Sequence, residues 1–261
     1  MNSHEFPYNK KKSKSDLMID PPCQTSEFLF RLLAKYICNP RPVANRIIHV
    51  KGQNGSGKSI FIRTFLNYLY KSGNFCGNAY IIDTERKYTK ANMDHLINSG
   101  FQSRIHIIVR SEFSELLGAL AELERMDLPP KSLIILDSLS NILKYIGADY
   151  DSFPLLQQFN NVFLSRLVSL ITKKDLFCIF VHHISFNPMF GDMPSYYGSV
   201  VQNLEGIWLS LEKTIETFGD CEPFFENSIV LSYSEYSLNA VISQFCLRYK
   251  YSLESGKFVL G

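Results

Sequence analysis

No Cys-x-x-Cys pair occurs in this chain. Its six cysteines stand singly at 23, 38, 76, 178, 221 and 246. That spacing argues against both a zinc site and a disulfide framework, and it fits buried free thiols in a reducing compartment. Long apolar runs are also lacking. None approaches the ~20 residues of a membrane span, so no membrane partner is expected. An excess of either charge is nearly missing: 27 Lys and Arg face 25 Asp and Glu, for a net charge of +2. A chain so balanced has no general attraction for nucleic acid, and any basic patch must be local. The opening residues are polar and lysine-bearing, unlike the apolar stretch of a secretory signal. What is present is an ordinary 46% of hydrophobic residues in 261, enough for one large domain, or one domain with appendages, around a real core.

One stretch organises the rest. Gly52-Gln53-Asn54-Gly55-Ser56-Gly57-Lys58-Ser59 fits G-x-x-x-x-G-K-[ST] at every fixed position. Before it runs Arg46-Ile47-Ile48-His49-Val50, a short apolar run of strand type. After it, Phe61, Phe65 and Leu69 recur four apart with Ile62 and Leu66 beside them, as on a helix. Strand, glycine-rich loop and helix are the context of a phosphate-binding loop. Glycines let backbone N–H groups turn inward around phosphates, and the helix N-terminus adds partial positive charge. The motif gives Lys58 the β- and γ-phosphates and Ser59 a Mg²⁺ ion.

Along the chain, residues 1–22 read as a disordered basic tail. Lys10, Lys11, Lys12 and Lys14 sit among Asn and Ser, and Pro21-Pro22 closes the segment. The tail is either a solvated end or an import or nucleic-acid patch. A helix is expected from Thr25 to Ile37, stopped by Pro40 and Pro42. Beyond the loop, strands and helices alternate. The expected strands are Ala79–Ile82, Ile105–Val109, Leu133–Leu136 and Leu176–Val181; the expected helices are Tyr88–Asn98, Ser111–Arg125 and one long helix from Phe153 to Lys173. Continuous apolar strands alternating with helices mean a parallel sheet covered on both faces. The last third partly alternates apolar and polar at 207–211, 228–233, 241–249 and 257–260, as antiparallel hairpins do.

Ligands of parallel sheets bind outside the carboxyl ends of the strands, and three strands here end in polar groups. Asp137 follows four apolar residues, as the acid of a phosphate-loop ATPase does, and can polarise a water ligand of Mg²⁺; the alternative is a cap for the next helix. Glu85 ends a second strand and can orient or deprotonate an attacking water; the alternative is an exposed glutamate. His182 and His183 end a third. One of them can sense the γ-phosphate, or both can be satisfied structural groups. Adjacent strand residues point to opposite faces, so the pair does not form a metal site. Of two loops, Asn141 to Pro154 joins the Asp137 strand to the long helix, and Ser185 to Ser199 follows the histidines. In the second, Phe186, Phe190, Tyr196 and Tyr197 can stack on bases, anchor a partner protein or fold into the core. The absence of Lys and Arg from that loop weighs against DNA.

In order, G-Q-N-G-S-G-K-S, Y-I-I-D-T-E, L-I-I-L-D-S-L-S, the long helix, F-C-I-F-V-H-H-I-S and the terminal hairpins resemble the catalytic core of the RecA/RadA-type recombinases over residues 25–261. Within that superfamily, T-S-E-F-L-F-R-L-L and L-I-I-L-D-S-L-S are similar to the eukaryotic recombinase paralogues, accessory proteins of homologous recombination. The resemblance implies an α/β fold: a RecA-like P-loop ATPase core over 23–261, with a mostly parallel sheet flanked by helices and C-terminal antiparallel hairpins. It implies ATP and Mg²⁺ as cofactors. ATP would lie against Gly52, Gln53, Asn54, Gly55, Ser56, Gly57, Lys58, Ser59 and Asp137, with the metal at Ser59 and Asp137. Glu85 falls where the family has its water-activating glutamate. His183 falls where recombinases carry a glutamine linking the γ-phosphate to the second DNA-facing loop, which would be Ser185 to Ser199; Asn141 to Pro154 would be the first. The partners implied are other recombinase paralogues and the main recombinase, with single-stranded DNA met through the complex, in the nucleus, and at most a weak DNA-dependent ATPase.

Four departures shape that expectation. Fewer residues precede the core than the small N-terminal helical domain of a full recombinase needs. The Phe-x-x-Ala peptide that links recombinase protomers is not in the N-terminal region, where Phe6-Pro7-Tyr8-Asn9 is the nearest stretch. Histidine replaces glutamine at the sensor position, and the second loop is short and without basic residues. They favour an accessory member that docks onto sister proteins over a filament-forming strand-exchange protein. The competing readings are a freestanding P-loop kinase or motor-type ATPase, though no arginine-rich lid is visible, and a binding module that has lost turnover.

Overall fold

Strand burial explains the architecture. The computed structural model describes residues 26–38, 46–73, 75–89, 93, 100–147, 153–187, 191–193, 206–216, 224–235, 238–252 and 257–260. Its central strands are β1 (Ile47–Gly52), β2 (Ala79–Asp83), β3 (Ile105–Val109), β4 (Leu133–Asp137) and β5 (Phe177–His183). Every residue of β2 and β4 is buried. Successive side chains of a strand point to opposite faces, so runs without polar alternation require cover on both sides.

The two sides separate residue by residue. On one face, Ile48, Val50, Ile81, Ile135, Ile179 and Val181 pack with Phe61, Ile62, Phe65 and Leu69 of helix α2 (Lys58–Lys71) and Leu29, Leu33 and Ile37 of helix α1 (Ser26–Cys38). On the other, Tyr80, Ile82, Ile134, Leu136 and Phe180 meet Leu116, Leu120 and Leu123 of helix α3 (Phe113–Arg125) and residues of the helices that follow β4. Each such aliphatic or aromatic side chain contributes roughly 1.5–3 kcal/mol of burial. Phe30 of α1 lies 5.6 Å from Phe61 and 5.7 Å from Phe65, ring centre to ring centre, which fastens α1 onto α2.

One nine-stranded sheet runs in the order β11-β10-β9-β8-β1-β5-β4-β2-β3. The added strands are β8 (Gly206–Glu216), β9 (Phe224–Glu235), β10 (Leu238–Ser252) and β11 (Lys257–Leu260). The pairs from β8 through β3 are all parallel, and those from β8 outward to β11 are antiparallel. The last third therefore differs from a plain set of hairpins. Its first strand joins the core sheet in parallel with β1, pairing Ile48 with Ile207 and Gly52 with Leu211, and the antiparallel strands extend from there. Three of these four strands extend beyond the alternating stretches that mark them in the sequence, and the fourth, Lys257–Leu260, is unchanged.

Other boundaries move for identifiable reasons. Helix α3 starts at Phe113 rather than Ser111, because Glu112 and Glu115 form a reciprocal capping box there. The segment from Phe153 to Lys173 is not one uniform α-helix. It runs as α5 (Phe153–Gln158), a π-helical stretch (Phe159–Leu164) and α6 (Ser165–Lys173). Phe159, Phe163 and Leu167 are spaced by four, and on an α-helix each such step drifts by about 40°. In the π-helical stretch Phe159 and Phe163 are both fully buried, with their rings 5.3 Å apart. The first expected loop is also largely helical, since α4 covers Leu139–Gly147 and α5 begins at Phe153. Leu139, Ile142 and Leu143, three and four apart, are its buried stripe. Of the second loop, β6 (Ser185–Asn187) and β7 (Gly191–Met193) form a small antiparallel pair; Phe190, Tyr196 and Tyr197 lie outside the described residues. So do the tail at 1–22 and most of the helix expected at 88–98, where Tyr88 and Thr89 are not helical and Met93 is. Among the described residues, no helix is long and apolar enough to cross a membrane.

Candidate functional site

The loop after β1 is built by glycines with distinct tasks. A Cβ on Gly52 would stand 2.4 Å from the Ser56 hydroxyl and 2.6 Å from the Leu211 carbonyl oxygen, so no larger residue fits where β1 meets β8. Gly57, at φ 85°, takes the left-handed conformation that starts α2. The first turn of α2 carries neither an acidic residue nor a side-chain cap, which leaves its backbone N–H groups for an anion. Lys58 opens that helix and is 4% exposed. Its Nζ donates to the carbonyls of Gly52 at 2.8 Å and Gln53 at 2.6 Å. Burial, reinforced by nearby Lys87, lowers its ammonium to about 8. The lysine folds back onto the loop, held by carbonyls that a phosphate can replace.

The strand ends bring the acids to this loop. Ser59 Oγ donates to Asp137 Oδ2 at 2.7 Å, and the Tyr88 hydroxyl donates to the same oxygen at 2.7 Å. Asp137 is fully buried, and its Oδ1 is without a hydrogen-bond partner. A buried carboxylate oxygen left open beside a serine hydroxyl is the chemistry of a hard cation bound partly through water and phosphate. Among the described residues, no group of three or more His, Cys, Asp or Glu could hold a metal by itself. The residues present therefore fit Mg²⁺ carried in with a nucleotide, held by Ser59 and Asp137.

Asp83 pairs with Asp137 in the sheet register, yet its carboxylate serves its own turn. It accepts from the backbone N–H of Glu85 at 3.1 Å and of Tyr88 at 2.8 Å. That turn presents Glu85 on one side and Tyr88 on the other. Glu85 Oε1 accepts from Ser138 Oγ at 2.5 Å and lies 2.7 Å from His183 Nε2; Oε2 pairs with Lys87 at 2.6 Å. Burial would raise the Glu85 carboxyl, but hydrogen bonds from His183, Lys87 and Ser138 outweigh it and hold it well below the usual carboxylate range. An ionised Glu85 only accepts, so His183 carries its proton on Nε2.

A backbone web fixes the three strand ends together. Thr84 Oγ1 accepts from Ser138 N at 2.8 Å, Asn141 Nδ2 donates to Thr84 O at 2.9 Å, and His183 N donates to Ser140 Oγ at 2.9 Å. The Asp137–Ser138 peptide bond is cis.

Of the residues singled out in the sequence, the structure brings Lys58 and Ser59 to Asp137's side of the sheet and joins Glu85 to His183. It sends His182 elsewhere. Buried on the opposite face, His182 Nε2 lies 3.0 Å from His49 Nδ1, and Trp208 stacks on His49 at 3.9 Å. Burial, then Lys51, His183 and Lys58, lower His182 to about 3. Sequence reasoning missed Tyr88, Ser138, Thr84 and Lys87. Three of them cluster within five residues of Asp83; Lys87 pairs locally with Glu85, but only contacts distant in sequence tie Thr84 and Tyr88 to the end of β4.

No family model matches this sequence, and no curated protein matches it. Among solved structures, the chain is similar to the crystal structure of the RadB recombinase, with a TM-score of 0.53 over 80% of this chain and 88% of that one, at 15% identity. The likeness is one of fold: an α/β sheet, parallel over six strands and flanked by helices, of the RecA-type recombinase kind.

Proposed function

We propose that this chain is an ATP-binding recombinase paralogue, in the subfamily of the X-ray repair cross-complementing protein two, acting in DNA repair by homologous recombination. In this reading it works in the nucleus within a complex of paralogues and assists assembly of the main recombinase on single-stranded DNA. The observation that carries the reading is the contact of Ser59 with buried Asp137, whose second oxygen stays open, beneath a glycine loop on a recombinase-type sheet.

Each residue has a task in it. The loop N–H groups and Lys58 bind phosphate oxygens, and Ser59 with Asp137 holds the metal. Bound Mg²⁺ would neutralise phosphate charge. Glu85 orients a water and takes its proton, but only after giving up part of its hold on Lys87, Ser138 and His183. Three partners on one carboxylate favour slow turnover, so the nucleotide acts chiefly as a clamp that controls assembly with partners.

The test has two arms. The wild-type chain should bind Mg-ATP and Lys58→Ala should not, as read by a fluorescent ATP analogue. Pull-down from cells should recover related ATPases with the wild type and fewer with the variant. A stable monomer without such partners, or rapid phosphate transfer to a small metabolite, would replace this reading with a freestanding ATPase or kinase.

A further inference from the structure

We infer that Tyr88 is a positioning residue of the metal site, setting the orientation of the Asp137 carboxylate so that one oxygen stays open toward the cation. The inference rests on the Mg-ATP reading above and adds a residue to it.

The geometry is specific. Asp137 Oδ2 receives two hydroxyl donors from different elements, Ser59 from α2 and Tyr88 from the turn after β2, each at 2.7 Å. Two donors on one oxygen fix the rotation of the carboxyl group about its Cβ–Cγ bond. With that rotation fixed, Oδ1 has nowhere to turn, and it is the oxygen that ends without a partner. If the phenol were absent, only Ser59 would hold the carboxylate, and Ser59 is the residue whose own oxygen the cation needs. The donor that survives metal binding is therefore Tyr88.

Tyr88 is itself over-determined. It is 6% exposed, it belongs to the core cluster that includes Phe61 and Met93, and its backbone N–H is fixed at 2.8 Å from Asp83 Oδ2. The same Asp83 holds the Glu85 N–H through its other oxygen. One turn thus ties the group that aims Asp137 to the group that faces the water, and the register pair of Asp83 with Asp137 keeps that turn level with the metal site.

A phenol merely finding a partner for its buried hydroxyl would matter for stability alone. A positioning phenol would matter for the metal. The experiment uses the full chain and a fluorescent ATP analogue, titrated with Mg²⁺ at fixed nucleotide and measured again in EDTA. Tyr88→Phe keeps the ring and removes the hydroxyl. The expected result is a Mg²⁺ midpoint raised roughly tenfold or more, in the range seen when a partner of a metal ligand is removed, with affinity in EDTA unchanged. An unchanged midpoint, or equal weakening with and without Mg²⁺, overturns the inference. If wild-type chain shows no nucleotide binding under either condition, the nucleotide reading falls, and this one with it. Should the Phe variant fail to fold, Tyr88→Leu is put through the same titration with the same criteria.

Discussion

Acid should unfold this protein through His182 before it reaches the carboxylates. The ring is 2% exposed and lies against His49, Phe180 and Trp208. Burial lowers its folded pKa to about 3, whereas an unfolded histidine titrates near 6.5. Below pH 6.5 the unfolded chain takes up a proton that the folded chain refuses. Stability is therefore complete above that value, falls as pH drops through the window, and levels off near the folded pKa. The slope is about 1.4 kcal/mol per pH unit, so the loss between pH 7 and pH 5 is about 2 kcal/mol. That is a large share of the 5–15 kcal/mol typical of a folded protein. Urea unfolding of wild type and His182→Gln at both pH values isolates the effect, because every other titrating group is common to the two proteins. The variant should lose about 2 kcal/mol less than wild type over this span. Equal losses would mean that His182 accepts a proton in the folded state, and the argument from burial would be wrong.

Three further outcomes follow from the site. Lys58 must be charged to hold phosphate and sits at about 8 in the free protein, so nucleotide affinity should hold from pH 7 to 8 and then weaken about tenfold per unit; a flat Kd from pH 7 to 9.5 would contradict the assignment. Glu85→Gln should keep Mg-ATP binding and reduce hydrolysis about 10²–10⁴-fold, measured as phosphate release, and unaltered hydrolysis would remove Glu85 from the water-activating role. Gly52→Ala places a Cβ against the Ser56 hydroxyl and the Leu211 backbone oxygen, which should abolish nucleotide binding and cost about 1–3 kcal/mol by overpacking, visible together in binding and melting curves.

The parts legible in the sequence were those written locally. Gly52 to Ser59 follows a spacing rule, and Asp137 and Glu85 follow buried runs, so a reader of the chain can place them at strand ends. The parallel core was legible for the same reason, since Leu133 to Leu136 admits no polar face. Tyr88 was not, because its partner Asp137 is 49 residues away and its own neighbourhood reads as the start of a helix. Nor was the division between the histidines. Alternation says that His182 and His183 part company, but which of them meets Glu85 depends on which helices cover which face. The π-helical stretch was hidden because a spacing of four suits both kinds of helix, as buried Phe61 and Phe65 on a regular α-helix show.

The position of β1 in the sheet has a consequence for how the molecule is made. The strand that leads into the glycine loop is flanked by β5 and β8, and both lie far along the chain. Ile48 waits for Ile179 on one side and Ile207 on the other. At about 5–20 residues per second of synthesis, roughly 150 residues separate β1 from β8, a delay on the order of 10–30 s. For that interval the nascent chain offers an open, apolar strand edge beside its glycine loop, which is the kind of surface that pairs wrongly with other chains. The glycine loop is thus synthesised well before the second strand that secures it. Chains that stop before β8 should be cleared by the cell as misfolded products, and would not persist as a shortened nucleotide-binding form.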